Sequence, residues 1–176
     1  MQNIFRNSDD FALVGPKWIE RLKAASLQSN LRRARLCLHR SDDDVLHEMI
    51  IALARDCIFP PHRHPTKTES FHMIEGRLVI VIFDDDGTPL GSLLLTPPGG
   101  KGLICYRLCT PKFHAALPLD DVVVFHEVTN GPFVKRDAVF AEWAPKGRDE
   151  LRVFLQKAAE AAPACSEKIA AAVETH

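Results

Sequence analysis

No charge of one sign dominates this chain. Its 22 Lys and Arg stand against 23 Asp and Glu. Nucleic-acid binding draws on a strong basic excess, so no nucleic-acid partner is expected. No apolar run approaches the roughly 20 residues that span a bilayer, so no membrane partner is expected either. Met1 to Asp10 is polar and lacks the apolar core of a signal peptide. Cysteine is sparse and odd in number: Cys37, Cys57, Cys105, Cys109 and Cys165 follow no regular framework. That suits a reducing compartment, and the cytoplasm is the expected location. Cys105 and Cys109 fall in one expected strand, roughly 13 Å apart, too far for a disulfide or for sharing one ion. Most of the five read as small core hydrophobes.

What is present is an ordinary globular composition, 46% apolar and 26% charged over 176 residues, enough for one domain with a real core. Residues 1–15 read as an irregular leader. Pro16 can open a helix running to about Ser29, with Trp18, Leu22 and Ala25 as its apolar stripe. The end of Leu31 to His39 reads as a strand, Asp42-Asp43-Asp44 as a turn, and Val45 to Ala54 as a further strand. Next come Cys57–His64, bent at Pro60-Pro61, then Glu69–Ile74, and the wholly apolar Leu78–Phe83. Asp84 to Gly87 makes a hairpin turn before Leu90–Thr96. Leu103–Leu108, Phe113–Leu117, Val122–Val128 and an edge strand in Ala138–Trp143 follow. Leu151, Phe154, Leu155 and Ala158 stand at i, i+3, i+4, i+7 and predict an amphipathic helix that Pro163 ends or kinks. The alanine-rich tail to His176 reads as weak helix or disorder. The fold class is all-β, an antiparallel jelly-roll barrel with helices at both ends. The expected divisions are 1–30 for leader and helix, 31–147 for the barrel and 148–176 for a C-terminal helical extension.

The chemistry gathers at His62-Arg63-His64, followed by Glu69 and Gly76. Strand side chains alternate, so His62 and His64 share a face and form a pincer for one metal ion. Glu69 opens the next strand and can add a hard oxygen from across the ladder. His114, at the start of a later strand, would complete an N3O set suited to Zn, Fe, Mn or Ni, one divalent ion per chain.

The run His62-x-His64-x4-Glu69-x6-Gly76 resembles the first motif of the cupin superfamily, and His114 resembles the histidine of its second motif. Asp56 stands where a glycine usually opens the first motif, and Cys109 and Pro111 replace the proline and glycine of the second. Arg33 to His39, Pro61 to His64, Lys67 to Phe71, Phe83 to Gly87, Asn130 to Phe133 and Trp143 to Pro145 together resemble the WbuC-type cupin fold metalloproteins. The likeness covers roughly residues 31–147. It implies a cupin barrel, a metal site and an association with surface-polysaccharide gene clusters.

Other residues carry secondary readings. Phe71 and Met73 share the face of Glu69 and should line the pocket, whereas Ser70 and His72 face away. Arg35 and His39 could bind a carboxylate or phosphate, since arginine offers a planar fork; a salt-bridged strand end is the alternative. Lys67 reads as a pocket-rim cation or a solvated loop lysine. One of His126 and Glu127 faces inward, and Glu127 is a candidate partner for a ligand histidine. Tyr106, the only tyrosine, is a candidate acid/base group or a core aromatic. The expected function is a metal-dependent isomerase or epimerase step on a small carbohydrate-related molecule, a sugar or sugar nucleotide, with the ion polarising a carbonyl or stabilising an enediolate. A non-catalytic metal-dependent sugar-binding module and an iron-dependent dioxygenase are the alternatives. A homodimer is expected.

Overall fold

The computed structural model describes residues 2–132, 134 and 137–162. The apolar run Leu78–Phe83 becomes strand β6 and has no wet face. Leu78, Ile80 and Ile82 pack into one cluster, Val79, Val81 and Phe83 into another, as a two-residue period requires. Two sheets build the body. The first has the order β1 (Ile4–Arg6), β2 (Arg33–Cys37), β3 (Leu46–Ala54), β10 (Val122–Asn130), β5 (Glu69–Glu75), β8 (Cys105–Leu108). The second has the order β11 (Val139–Phe140), β4 (His62–Arg63), β9 (Phe113–Pro118), β6, β7 (Pro89–Leu95). The chain alternates between them in jelly-roll fashion, and the two ladders do not merge into a closed barrel.

Three apolar layers hold this arrangement. Between the sheets, Met49, Ile51, Leu53, Phe71, Met73 and Phe125 of the first meet Leu78, Ile80, Leu93 and Leu95 of the second. Helix α1 (Pro16–Gln28), with Pro16 in its first turn, lays Ile19 and Leu22 on Ala34, Leu36, Ile50 and Val124. Trp18 and Ala25 of the expected stripe flank that layer. Helix α2 (Arg148–Ala161) buries Leu151, Leu155 and Ala158 against Val81, Phe83 and Phe113 on the other side. The Cys105 and Cys109 side chains are exposed, unlike those of Cys37 and Cys57, so among the described residues the core reading fits the latter pair; Cys165 lies outside them.

The N-terminal leader contains a strand that the sequence reading missed. Ile4–Arg6 runs parallel to β2 and inserts Phe5 into the α1 layer. Three residues are too few to show a period, so only the tertiary contact reveals it. Cys57–His64 is strand only at His62–Arg63, because Pro60 and Pro61 have no N–H to give a ladder. The tail from Pro163 to His176 lies outside the described residues.

Gly76 makes the turn from β5 to β6 with φ +77°, and a Cβ there would stand 3.0 Å from Val123 Cγ1 and 3.1 Å from the Val122 carbonyl oxygen. Gly76→Ala is expected to lower stability by about 1–3 kcal/mol in chemical denaturation, from left-handed backbone strain plus the contact.

Candidate metal centre

Strand alternation positions the first two histidines. Arg63 turns outward, its guanidinium 4.6 Å from the Phe113 ring centre and 2.8 Å from Asp85. His62 and His64 turn inward, with ring centres 5.0 Å apart. Strand β9 pairs with β4 so that His114 stands directly opposite His62. Its neighbours Phe113 and Ala115 pack outward under α2, which leaves the His114 ring buried between the sheets. The ring centres of His62 and His64 lie 4.6 and 5.7 Å from that of His114. One ligand nitrogen from each of the three falls within 4.8 Å of the others.

Glu69 reaches this trio by a different route from the one expected. It is not across a ladder from the histidines: it opens β5 in the opposite sheet and meets them across the interior. Its Oε1 lies 3.0 Å from His114 Nε2 and its Oε2 3.7 Å from His64 Nε2. The Tyr106 hydroxyl, brought beside it by the β5–β8 pairing, donates to Glu69 Oε1 at 2.5 Å. Burial pushes the Glu69 carboxyl up, but His114 and the tyrosine hydroxyl outweigh it and hold the group down at about 2. Burial and the Glu69 charge push Tyr106 well above its ordinary value. Tyr106 is therefore a fixed donor that orients Glu69.

The second nitrogen of each ring is already committed. His62 Nδ1 faces the Pro60 carbonyl at 3.3 Å, His64 Nδ1 the Asp137 carbonyl at 3.1 Å and His114 Nδ1 the Lys112 carbonyl at 3.1 Å. A carbonyl only accepts, so each Nδ1 carries a proton, and Nε2 is the nitrogen that each ring, when neutral, presents inward with its lone pair. His114 Nε2 is buried with no well-formed hydrogen bond, although Glu69 is near. Burial and the two neighbouring rings lower His62 to about 4, so it is neutral near pH 7. Burial also lowers His114, but Glu69 outweighs this and raises it. Three lone pairs and one carboxylate converging in a buried space match the donor set of a divalent transition metal.

The surroundings sort the remaining candidates. Phe71 and Met73 share the inward face of β5 with Glu69, and Phe71 packs on Tyr106 and Phe125 at ring distances of 5.2 and 4.5 Å. This wall is apolar. His72 is exposed on the other face, beside His126. Glu127 is the inward member of its pair: it lies opposite Met49 and Phe71 in the ladders. It holds no ligand histidine, because backbone carbonyls occupy that role. Burial and the Glu69 charge raise its carboxyl to about 7. Lys67, expected as a rim cation or a solvated loop residue, has partners within the protein. It donates to the Pro132 carbonyl at 2.8 Å and lies 3.5 Å from Asp137, whose carbonyl holds His64. His39 stacks on His47 at 4.0 Å, with Nδ1 against the Glu48 backbone. Arg35 shares its face of β2 with an inward residue missed in the sequence, Arg33. Their i, i+2 spacing was the available signal.

Of the comparisons with known proteins, those with solved structures bear on the fold. A family model described as a domain of unknown function (DUF6016) matches residues 15–95, which include His62, His64 and Glu69 but not His114. Among curated proteins none matches. Protein SO0799 from Shewanella oneidensis superposes at TM-score 0.56 with 12% identity, over 78% of this chain and 97% of that one. The capsular polysaccharide assembling protein CapF from Staphylococcus aureus superposes at 0.51 with 19% identity, over 61% of this chain and 30% of that one. The chain thus has a mostly β, two-sheet cupin fold with a helix on either side, and its histidine cluster could hold a metal ion.

Proposed function

We propose that this chain holds one divalent transition metal, Zn, Fe, Mn or Ni, on His62, His64, Glu69 and His114, and uses it to bind and transform a small polar carbohydrate-related molecule. The observation that carries the metal reading is the commitment of all three Nδ1 hydrogens to backbone carbonyls, which leaves three Nε2 lone pairs facing inward. A bound ion would supply Lewis acidity toward a substrate oxygen. Tyr106 would fix the Glu69 carboxylate, while Phe71 and Met73 would keep water from one side. Glu127, with its carboxyl raised to about 7, is the residue we assign to carry a proton in an isomerase or epimerase step. The carbohydrate link draws support from the WbuC-type resemblance and from the likeness to a capsular polysaccharide assembling protein. A non-catalytic sugar-binding module is the second reading, favoured by the apolar wall of Phe71 and Met73. Iron-dependent oxygenation is a third outcome, which the identity of the metal would decide.

Elemental analysis of the purified full chain tests the metal. The wild type is expected to carry about one ion, and His62→Ala, His64→Ala and His114→Ala to lose most of it. Unchanged content in His62→Ala and His64→Ala would overturn the reading. Tyr106→Phe frees Glu69 without removing a metal ligand, so metal affinity should fall about 10–100-fold in competition with a chelator.

The metal-free chain has a pH signature. Folded His62 takes its proton near pH 4, whereas the unfolded residue does so near 6.5. Between these values the unfolded state binds more protons, so stability is whole above pH 6.5 and falls as the pH drops toward 4. The loss is at most about 3 kcal/mol, and His62→Gln should flatten that part of the stability curve in chelator-treated protein.

A further inference from the structure

Strand β2 turns Arg33 and Arg35 toward the interior, with Cys37 on the same face, while Ala34 and Leu36 pack under α1. The ladder with β3 places Arg33 opposite Leu53 and Arg35 opposite Ile51, both members of the inter-sheet core. Both arginines are only partly exposed. Surface arginines such as Arg6, Arg32, Arg63 and Arg77 each find an aspartate. The inward pair does not. Arg33 lies over the Phe59 ring at 4.6 Å, and neither guanidinium makes a hydrogen bond or ion pair with a described residue. Arg35 Nε is buried and has no partner. Buried donors without acceptors are costly, and two like charges side by side add to the cost.

One carboxylate stands near. Glu127 projects from the inner face of β10, with only β3 between it and β2. It feels Arg33 and Arg35 on one side and Glu69 and His114 on the other. The arginine pair on the first sheet and the histidine trio on the second thus both act on a single interior residue, Glu127. With two guanidinium charges and at most one from Glu127, the Arg end keeps a net positive charge. A divalent ion on three neutral histidines and Glu69 leaves the other end positive as well.

We infer that Arg33 and Arg35 form an oxyanion subsite, which takes the carboxylate or phosphate of a small acidic ligand whose remaining oxygens face the histidine trio. Arginine suits this role because its planar fork gives two parallel hydrogen bonds to either group. The assignment of the ligand's far end rests on the metal reading above, whereas the arginine end does not. The substrate class narrows accordingly, from a polar carbohydrate-related molecule to an acidic one, a sugar acid or a sugar phosphate.

The test is calorimetric titration of the chelator-treated full chain, at constant ionic strength, with inorganic phosphate and with tartrate. Saturable binding of at least one probe is expected. Arg33→Gln and Arg35→Gln should each weaken it by about 10-fold or more, and Arg77→Gln, a surface variant, should not. The tighter probe identifies phosphate or carboxylate as the natural group. Absence of saturable binding, or equal weakening by Arg77→Gln, would overturn the subsite. Should Arg35→Gln fail to fold, the Arg33 and Arg35 Nε–H resonances of the wild type decide instead: they shift on phosphate addition if the subsite exists and stay fixed if it does not. His62→Ala separates the two readings. Phosphate binding to metal-free His62→Ala should equal that of the wild type even if the metal assignment fails, whereas loss of binding in this variant would overturn an independent arginine end.

Discussion

Three backbone carbonyls govern the chemistry of this interior. Those of Pro60, Lys112 and Asp137 fix the protonated nitrogen of His62, His114 and His64, and so determine which nitrogen each ring presents inward. Side-chain acids do not serve here; among the described residues the carboxylate in contact with the trio is Glu69, itself held by Tyr106. The rest of the fold supplies the positions. Strand β4 is only two residues long, yet its pairing with β9 and β11 on either side keeps His62 on the inner face, and the Asp137 carbonyl holds His64 beside it.

The two sheets contribute unlike halves. The second sheet and its flanking loops bring nitrogen donors; the first brings Glu69, Glu127, Tyr106 and the inward arginines. Between them the apolar layer of Phe71, Met73, Phe125, Leu78 and Ile80 excludes water and strengthens every charge interaction beside it. The raised Glu127 carboxyl and the lowered His62 imidazole are two expressions of that same dry environment.

Much of this was legible in the sequence because alternation is a local rule. The sharing of one face by His62 and His64, and by Glu69, Phe71 and Met73, follows from a period of two. The apolar run Leu78–Phe83 announced a strand buried on both faces, and the helical period of Leu151 to Ala158 announced α2. What could not be read depends on tertiary register. Which of His126 and Glu127 faces inward is set by the β3–β10 ladder, and Glu69 belongs to the opposite sheet because the loop from Pro65 to Thr68 crosses between layers. The Lys67 contacts with Pro132 and Asp137 join segments more than sixty residues apart. The inward turn of Arg33 likewise depends on the β2–β3 register, since a basic residue at a strand start ordinarily faces solvent.

The tether on His64 bears on the order in which the molecule comes together. Its carbonyl partner, Asp137, lies 73 residues downstream, beyond β10 and just before β11. His114 likewise arrives long after His62, His64 and Glu69 have left the ribosome. A nascent chain that has emerged only as far as β8 therefore owns a two-histidine fragment with one ring unanchored. Tight capture of an ion there would have to wait until nearly the whole jelly roll has closed, and would then record completed folding and not seed it.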